Sequence, residues 1–89
     1  MKVQIIKTGT NNFQWQIMCP GCNWIHAMSP SIHKFNNDFE NPTFSPSLLS
    51  DNIPGKRCHS FIENGKIRFL DDCDHSLKGQ IVNLPEVHL

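Results

Sequence analysis

No segment of the 89 residues approaches the ~20 consecutive apolar residues needed to cross a bilayer, so a membrane partner is not expected. Neither sign of charge is in excess. Eight Lys and Arg face eight Asp and Glu, and the pI is near 6.9, so the basic surface of a dedicated DNA- or RNA-binding protein is lacking. Charged residues (18%) and hydrophobic residues (38%) are both scarce for a globular chain, which implies a small core. A chain of this length buries only roughly 60–65% of its unfolded surface. Domains with so thin a core usually rely on a metal, disulfides or a partner. There is no heptad pattern, internal repeat, low-complexity tract or long 3.6-residue period. Ser, His and Asp all occur, but no GxSxG elbow frames a nucleophile, and no Gly-rich loop frames a phosphate. The stretch from Met1 to Ile6 lacks the long apolar core of a signal peptide, which predicts a cytoplasmic, reducing location. In that setting paired cysteines are more often metal ligands than disulfides. The length fits one domain over residues 1–89.

What the chain does contain reads mainly as strands. Val3 to Lys7 forms a first run, and Thr8 to Asn12 supplies turn chemistry. Phe13-Gln14-Trp15-Gln16-Ile17 alternates apolar and polar residues, placing Phe13, Trp15 and Ile17 on one inward face. Trp24 to Met28 returns after a Cys-Pro-Gly-Cys turn, and Trp15 and Trp24, which flank that turn, are both expected in the core. Residues 29–57 hold most of the prolines and many Asn and Asp, and predict an irregular loop with at most a short strand near Thr43 to Ser45. Phe35, Phe39 and Phe44 are expected to pin that loop to the core. Cys58 to Glu63 and Lys66 to Leu70, joined by Asn64-Gly65, form the clearest hairpin, with a type I′ turn. A helical turn is expected at Ser76 to Lys78, ended by Gly79, and a last strand at Ile81 to Leu84. The fold class is mostly β with zinc-ribbon-like hairpins and little helix, or a zinc-ribbon-like α+β arrangement.

Four Cys and five His make a metal the first candidate staple. The turn Cys19-Pro20-Gly21-Cys22 lets two thiolates reach one ion, and Zn²⁺ needs four N/S ligands. In the hairpin a two-residue loop pairs Ile62 with Ile67, Ser60 with Phe69 and Cys58 with Asp71. Cys58 and Cys73 then share a face, and His59 lies on the opposite one with Phe61 and Leu70. The expected structural Zn²⁺ ligands are Cys19, Cys22, Cys58 and Cys73, with His75 as the alternative fourth ligand. A dithiol redox pair, disulfides and inert buried thiols are the competing readings.

His26, His59 and His75 each lie close to a cysteine in sequence. They are the weak catalytic candidates, able to hold a second, open metal site with Asp71, Asp72 or Asp74 nearby. The blander reading makes them alternate ligands or surface residues. His33 and His88 have no sequence partner and are expected at the surface. The segment Asn41-Pro42-Thr43-Phe44-Ser45-Pro46-Ser47 places three hydroxyls about two prolines. It reads as a rigid loop first and as a phosphate or peptide contact second.

Taken together, Cys19-Pro20-Gly21-Cys22 with His26, the Asn41 to Ser47 stretch, Cys58-His59-Ser60-Phe61-Ile62, Asp72-Cys73-Asp74-His75 and Leu77-Lys78-Gly79-Gln80 resemble a known family. It is the group of small phage and prophage zinc-binding proteins commonly labelled "ammonia monooxygenase". The resemblance runs from about Phe13 to Pro85, departing at Lys78 and in the Asn36-Asn37-Asp38 loop. It implies a compact zinc protein made in an infected bacterial cytoplasm. Related zinc-binding domains occur near bacterial ubiquitin-like conjugation genes, which implies a link to host defence or to its inhibition. Three functions follow as expectations. The first is a phage accessory protein that binds a host or phage protein through the 29–57 loop. The second is a metal-dependent hydrolase using His26, His59 and His75. The third is a nucleic-acid-binding zinc ribbon using Lys56, Arg57, Lys66 and Arg68.

Overall fold

Short alternating runs separated by turn-forming residues fold as strands, and the described residues contain no helix. The computed structural model describes residues 1–51 and 53–87. The strands are β1 (Gln4–Lys7), β2 (Phe13–Cys19), β3 (Trp24–Met28), β4 (Lys34–Phe35), β5 (Phe44–Ser50), β6 (Cys58–Glu63), β7 (Lys66–Phe69) and β8 (Ile81–Asn83). They form two sheets, one ordered β1-β2-β3 and one ordered β4-β5-β6-β7-β8, with every neighbour antiparallel. The chain is therefore all-β, in line with the mostly β expectation. No helix among the described residues is long and apolar enough to cross a membrane.

The period-two signal in β2 works as expected from Trp15 onward: Trp15, Ile17 and Cys19 are buried. Phe13 departs from it. It sits at the exposed end of the strand and packs edge-on against Trp15 with ring centroids 5.4 Å apart. The β6–β7 register is the one that Asn64-Gly65 dictates, with Ile62 opposite Ile67 and Ser60 opposite Phe69. Asn64 and Gly65 both adopt positive φ, at 50° and 77°, as a type I′ turn requires. Ile17, Ile62, Ile67, Phe44 and Phe69 fill the interior between the sheets. Burying each such side chain stabilises the fold by roughly 1.5–3 kcal/mol before entropy is counted.

The 29–57 segment is more ordered than its proline content suggests. Two strands form there, and β5 runs for 7 residues through Pro46. It tolerates the proline because its ladder to β6 is interrupted: Phe44 pairs with Ile62, but the next pair is Leu48 with Ser60. Two extra residues of β5 are thus accommodated in a bulge, where a missing N–H costs nothing. Phe35 stacks on Phe44 at 4.5 Å, and Phe39 meets Phe35 edge-on at 5.2 Å, so these rings do anchor the segment.

Other expectations change. Trp24 is 73% exposed rather than in the core, because its strand lies at the rim of the three-stranded sheet. Residues 75–79 make a turn, with Lys78 N–H donating to the His75 carbonyl (3.2 Å) and Gly79 at φ 75°. His33 is half-buried, and His88 lies outside the described residues.

Candidate active site and metal centre

The Cys-Pro-Gly-Cys turn links β2 to β3. Cys22 N–H donates to Cys19 Sγ (3.4 Å), and Asn23 N–H donates to the Cys19 carbonyl (2.9 Å), with Asn23 at φ 55°. The fold brings this turn against the start of β6 and the turn that follows β7. Donor atoms of Cys19, Cys22, Cys58 and His75 all lie within 4.8 Å of one another. Cys19 Sγ is 3.9 Å from Cys58 Sγ, and Cys58 Sγ is 3.6 Å from His75 Nε2. These spacings are those of a coordination tetrahedron. Metal–sulfur bonds of about 2.3 Å and metal–nitrogen bonds of about 2.05 Å give edges of roughly 3.8 Å (S–S) and 3.6 Å (S–N). A disulfide would need the sulfurs at about 2.05 Å, and all four thiols are free.

The approach of His75 depends on Gly21. A Cβ at that position would sit 2.3 Å from the imidazole Cε1. Phe69 meets the ring edge-on at 4.4 Å, so the core fixes its tilt. The electrostatics favour a cation. The hydrogen bond from Cys58 holds Cys19 well below the usual thiol range. That same bond and burial push Cys58 up, and burial together with the Cys19 charge pushes Cys22 up. Three sulfurs in a low-dielectric pocket thus resist further ionisation until a positive ion arrives.

Cys73 is not in this group, and His75 takes the fourth place. The expected continuation of the strand fails because β7 ends at Phe69 and the chain turns at Leu70 to Cys73. Cys73 instead holds the backbone of His59. His59 N–H donates to its Sγ (3.2 Å), and its S–H donates to the His59 carbonyl (3.1 Å).

A second constellation stands beside the first. Ser47 Oγ is 3.1 Å from His59 Nε2, and His59 Nδ1 is 3.2 Å from Asp72 Oδ2. A carboxylate accepts and does not donate, so Nδ1 carries the imidazole proton and Nε2 offers its lone pair to the Ser47 hydroxyl. This is the arrangement of a nucleophile, a general base and an orienting acid. Each member is delivered by a local device. Ser47 lies in the β5 bulge, a feature that re-aims side chains. His59 alternates with buried Cys58 and Ser60, and so points away from the core. Asp72 sits in a turn pinned to the start of β6, where Arg57 N–H donates to Asp74 Oδ2 (2.7 Å) and Asp74 N–H to the Arg57 carbonyl (2.8 Å). The Arg57 guanidinium lies 3.6 Å from the same Asp72 oxygen.

Among the described residues, no metal-binding group joins His26, His59 and His75. His75 belongs with the thiols, His59 with Ser47 and Asp72, and His26 stands beside Cys19 and borders the groove between β3 and β5. Sequence reasoning missed Ser47 as a partner of His59 and named Asp72 only as one of three acids able to orient the histidines. The available signals were the hydroxyl-rich Asn41 to Ser47 stretch and the register that turned His59 outward.

A family model described as the bacterial ubiquitination-like system serine protease (BubE) matches residues 1–70. The chain belongs to this family. The BubE match takes in Cys19, Cys22, Ser47, Cys58 and His59, and stops just before Asp72 and His75. It keeps the link to bacterial ubiquitin-like conjugation that the sequence resemblance implied, and lends no support to the "ammonia monooxygenase" label. Comparison with curated proteins and with solved structures gives no match.

Proposed function

We propose that this protein is a serine peptidase acting within a bacterial ubiquitination-like system, and that its Cys19, Cys22, Cys58 and His75 hold a structural Zn²⁺. The hydrogen-bonded line Ser47–His59–Asp72 carries this reading. The BubE family match supports the class of activity, and the tetrahedral spacing of a Cys₃His donor set supports the metal. A pure binding module would have no use for such a line, and among the described residues no donor group joins His26, His59 and His75 as a His-based metal hydrolase would need.

The chemistry follows from the geometry. Ser47 Oγ attacks the scissile carbonyl carbon while its proton passes to His59 Nε2. Asp72 stabilises the imidazolium through Nδ1–H. The tetrahedral intermediate collapses as His59 returns that proton to the leaving amine nitrogen, and the C–N bond breaks. A water then enters, gives a proton to the same Nε2 and attacks the acyl ester; the C–Oγ bond breaks as His59 returns that proton to Ser47 Oγ, and the acid leaves. Zinc, when bound, supplies folding energy and takes no part in these steps.

The test is active-site labelling of the zinc-loaded protein with a fluorophosphonate, located by peptide mass spectrometry. Modification is expected on Ser47 and lost in Ser47→Ala and His59→Ala. In Asp72→Asn the rate is expected to fall by roughly 10²–10⁴-fold, because the amide favours the wrong imidazole tautomer. Labelling of Ser47→Ala at the wild-type rate would remove the assignment.

A further inference from the structure

Ser47 opens into a groove of about 630 Å³ between β3 and β5, within the size range of ligand sites. Two features of its walls stand out. The first is backbone. β3 is an outer strand of its sheet, and β4 covers β5 only at Phe44 and Ser45. Among the described residues, no strand pairs with the outer side of β3 or with the side of Ser47 to Ser50 that faces away from β6. Two strand sides with open pairing capacity thus border one groove. The second is side chains. Trp24, Ile25, Ile32, Leu49 and Ile53 line it, with exposures of 73%, 37%, 66%, 50% and 59%. Among the described residues that line it, Lys56 is the one with a formal charge and none is an Asp or Glu.

We propose that this groove binds the protein substrate as an extended segment that adds a strand beside Ser47, with large apolar side chains next to the scissile bond. The proposal rests on the peptidase reading. An open strand side recruits a chain in β conformation, because only that backbone satisfies its N–H and C=O groups. Side chains of an added strand alternate between the groove wall and solvent. The wall offers aliphatic and indole surface, so the inward positions select Leu, Ile, Met or Phe. Lys56, the charged residue of that wall, disfavours a basic side chain there. A folded loop would not reach both walls, so the substrate is cut where its chain is unfolded or unstructured.

The experiment uses the zinc-loaded protein and two Gly/Ser decapeptides, one with a central Leu-Leu pair and one with Lys-Lys. Wild type is expected to cleave the Leu peptide with at least tenfold higher kcat/KM. In a Leu49→Asp/Ile53→Asp double variant that ratio is expected to fall at least tenfold, chiefly through KM. Binding is read separately in Ser47→Ala by tryptophan emission, since Trp24 is exposed and Trp15 is buried. A blue shift is expected with the Leu peptide and none with the Lys peptide. This arm keeps the proposal testable if the double variant fails to fold or if turnover is slow. Equal cleavage of the two peptides, or an emission spectrum unmoved by the Leu peptide, overturns the groove. If Ser47 still takes the fluorophosphonate, the peptidase reading survives that result. If Ser47 is never labelled, both fall together.

Discussion

In the proposed mechanism Cys73 is a positioning residue that acts through the backbone of His59. Its sulfur brackets the His59 peptide unit from both sides, at 3.2 Å and 3.1 Å, and so fixes the backbone that carries the base. Cys73→Ala strips the part-buried His59 N–H of its partner and is expected to cost about 1 kcal/mol in urea denaturation. It should also slow fluorophosphonate labelling while leaving one zinc per chain. Cys73→Ser, which keeps a donor and an acceptor, should lose less of both. Loss of zinc from Cys73→Ala would instead make this cysteine a ligand, as spacing alone suggested. Sequence could name Cys19, Cys22 and Cys58 as candidates because a CxxC turn and an extended strand have fixed local geometry. It could not choose between Cys73 and His75, because that choice turns on where β7 stops and how closely Gly21 lets an imidazole approach.

Among the elements, the β6–β7 hairpin was legible and β5 was not. Asn64-Gly65 sets a register that places His59 outward, and this holds because positive φ at both turn residues leaves few alternatives. Gly65 is doubly constrained, by φ 77° and by Asn41 Cα, which a Cβ would meet at 3.2 Å. Gly65→Ala is therefore expected to cost about 1–2 kcal/mol. Each kcal/mol lowers Tm by roughly 4–8 °C in a chain of this size, as calorimetry would show. Labelling of Ser47 well below that temperature should be unchanged, since the turn closes the end of β6 opposite His59. β5 was hidden because a proline inside a run normally argues against a strand. The bulge that accommodates Pro46 also holds Ser47, so the feature that obscured the element is the one that sets Ser47 beside His59. The triad stayed invisible for a related reason. Its members lie on three separate segments, in the order Ser-His-Asp, which differs from the three chain orders of the common serine hydrolase folds.

Across the whole molecule the candidate metal centre joins the two sheets. Cys19 and Cys22 come from the β2–β3 turn of one, Cys58 from β6 of the other, and His75 from the turn after β7. Such a site in zinc-finger peptides supplies ~10–16 kcal/mol, as much as the ~5–15 kcal/mol that separates most folded domains from their unfolded chains. Treatment with 1,10-phenanthroline is thus expected to abolish the cooperative melting transition and the labelling of Ser47 together, and added Zn²⁺ to restore both. Melting that is indifferent to chelation in a protein shown to have lost its zinc would refute a structural role.

Asp72 and His75 follow every other residue of the two centres in chain order, three positions apart on one turn. Synthesis from the N-terminus therefore yields the nucleophile and the base before either centre can close. A nascent or truncated chain ending short of Asp72 has neither its orienting acid nor its fourth metal donor. A chain cut between His59 and Asp72 thus loses the Ser47–His59–Asp72 line and the Cys₃His donor set together.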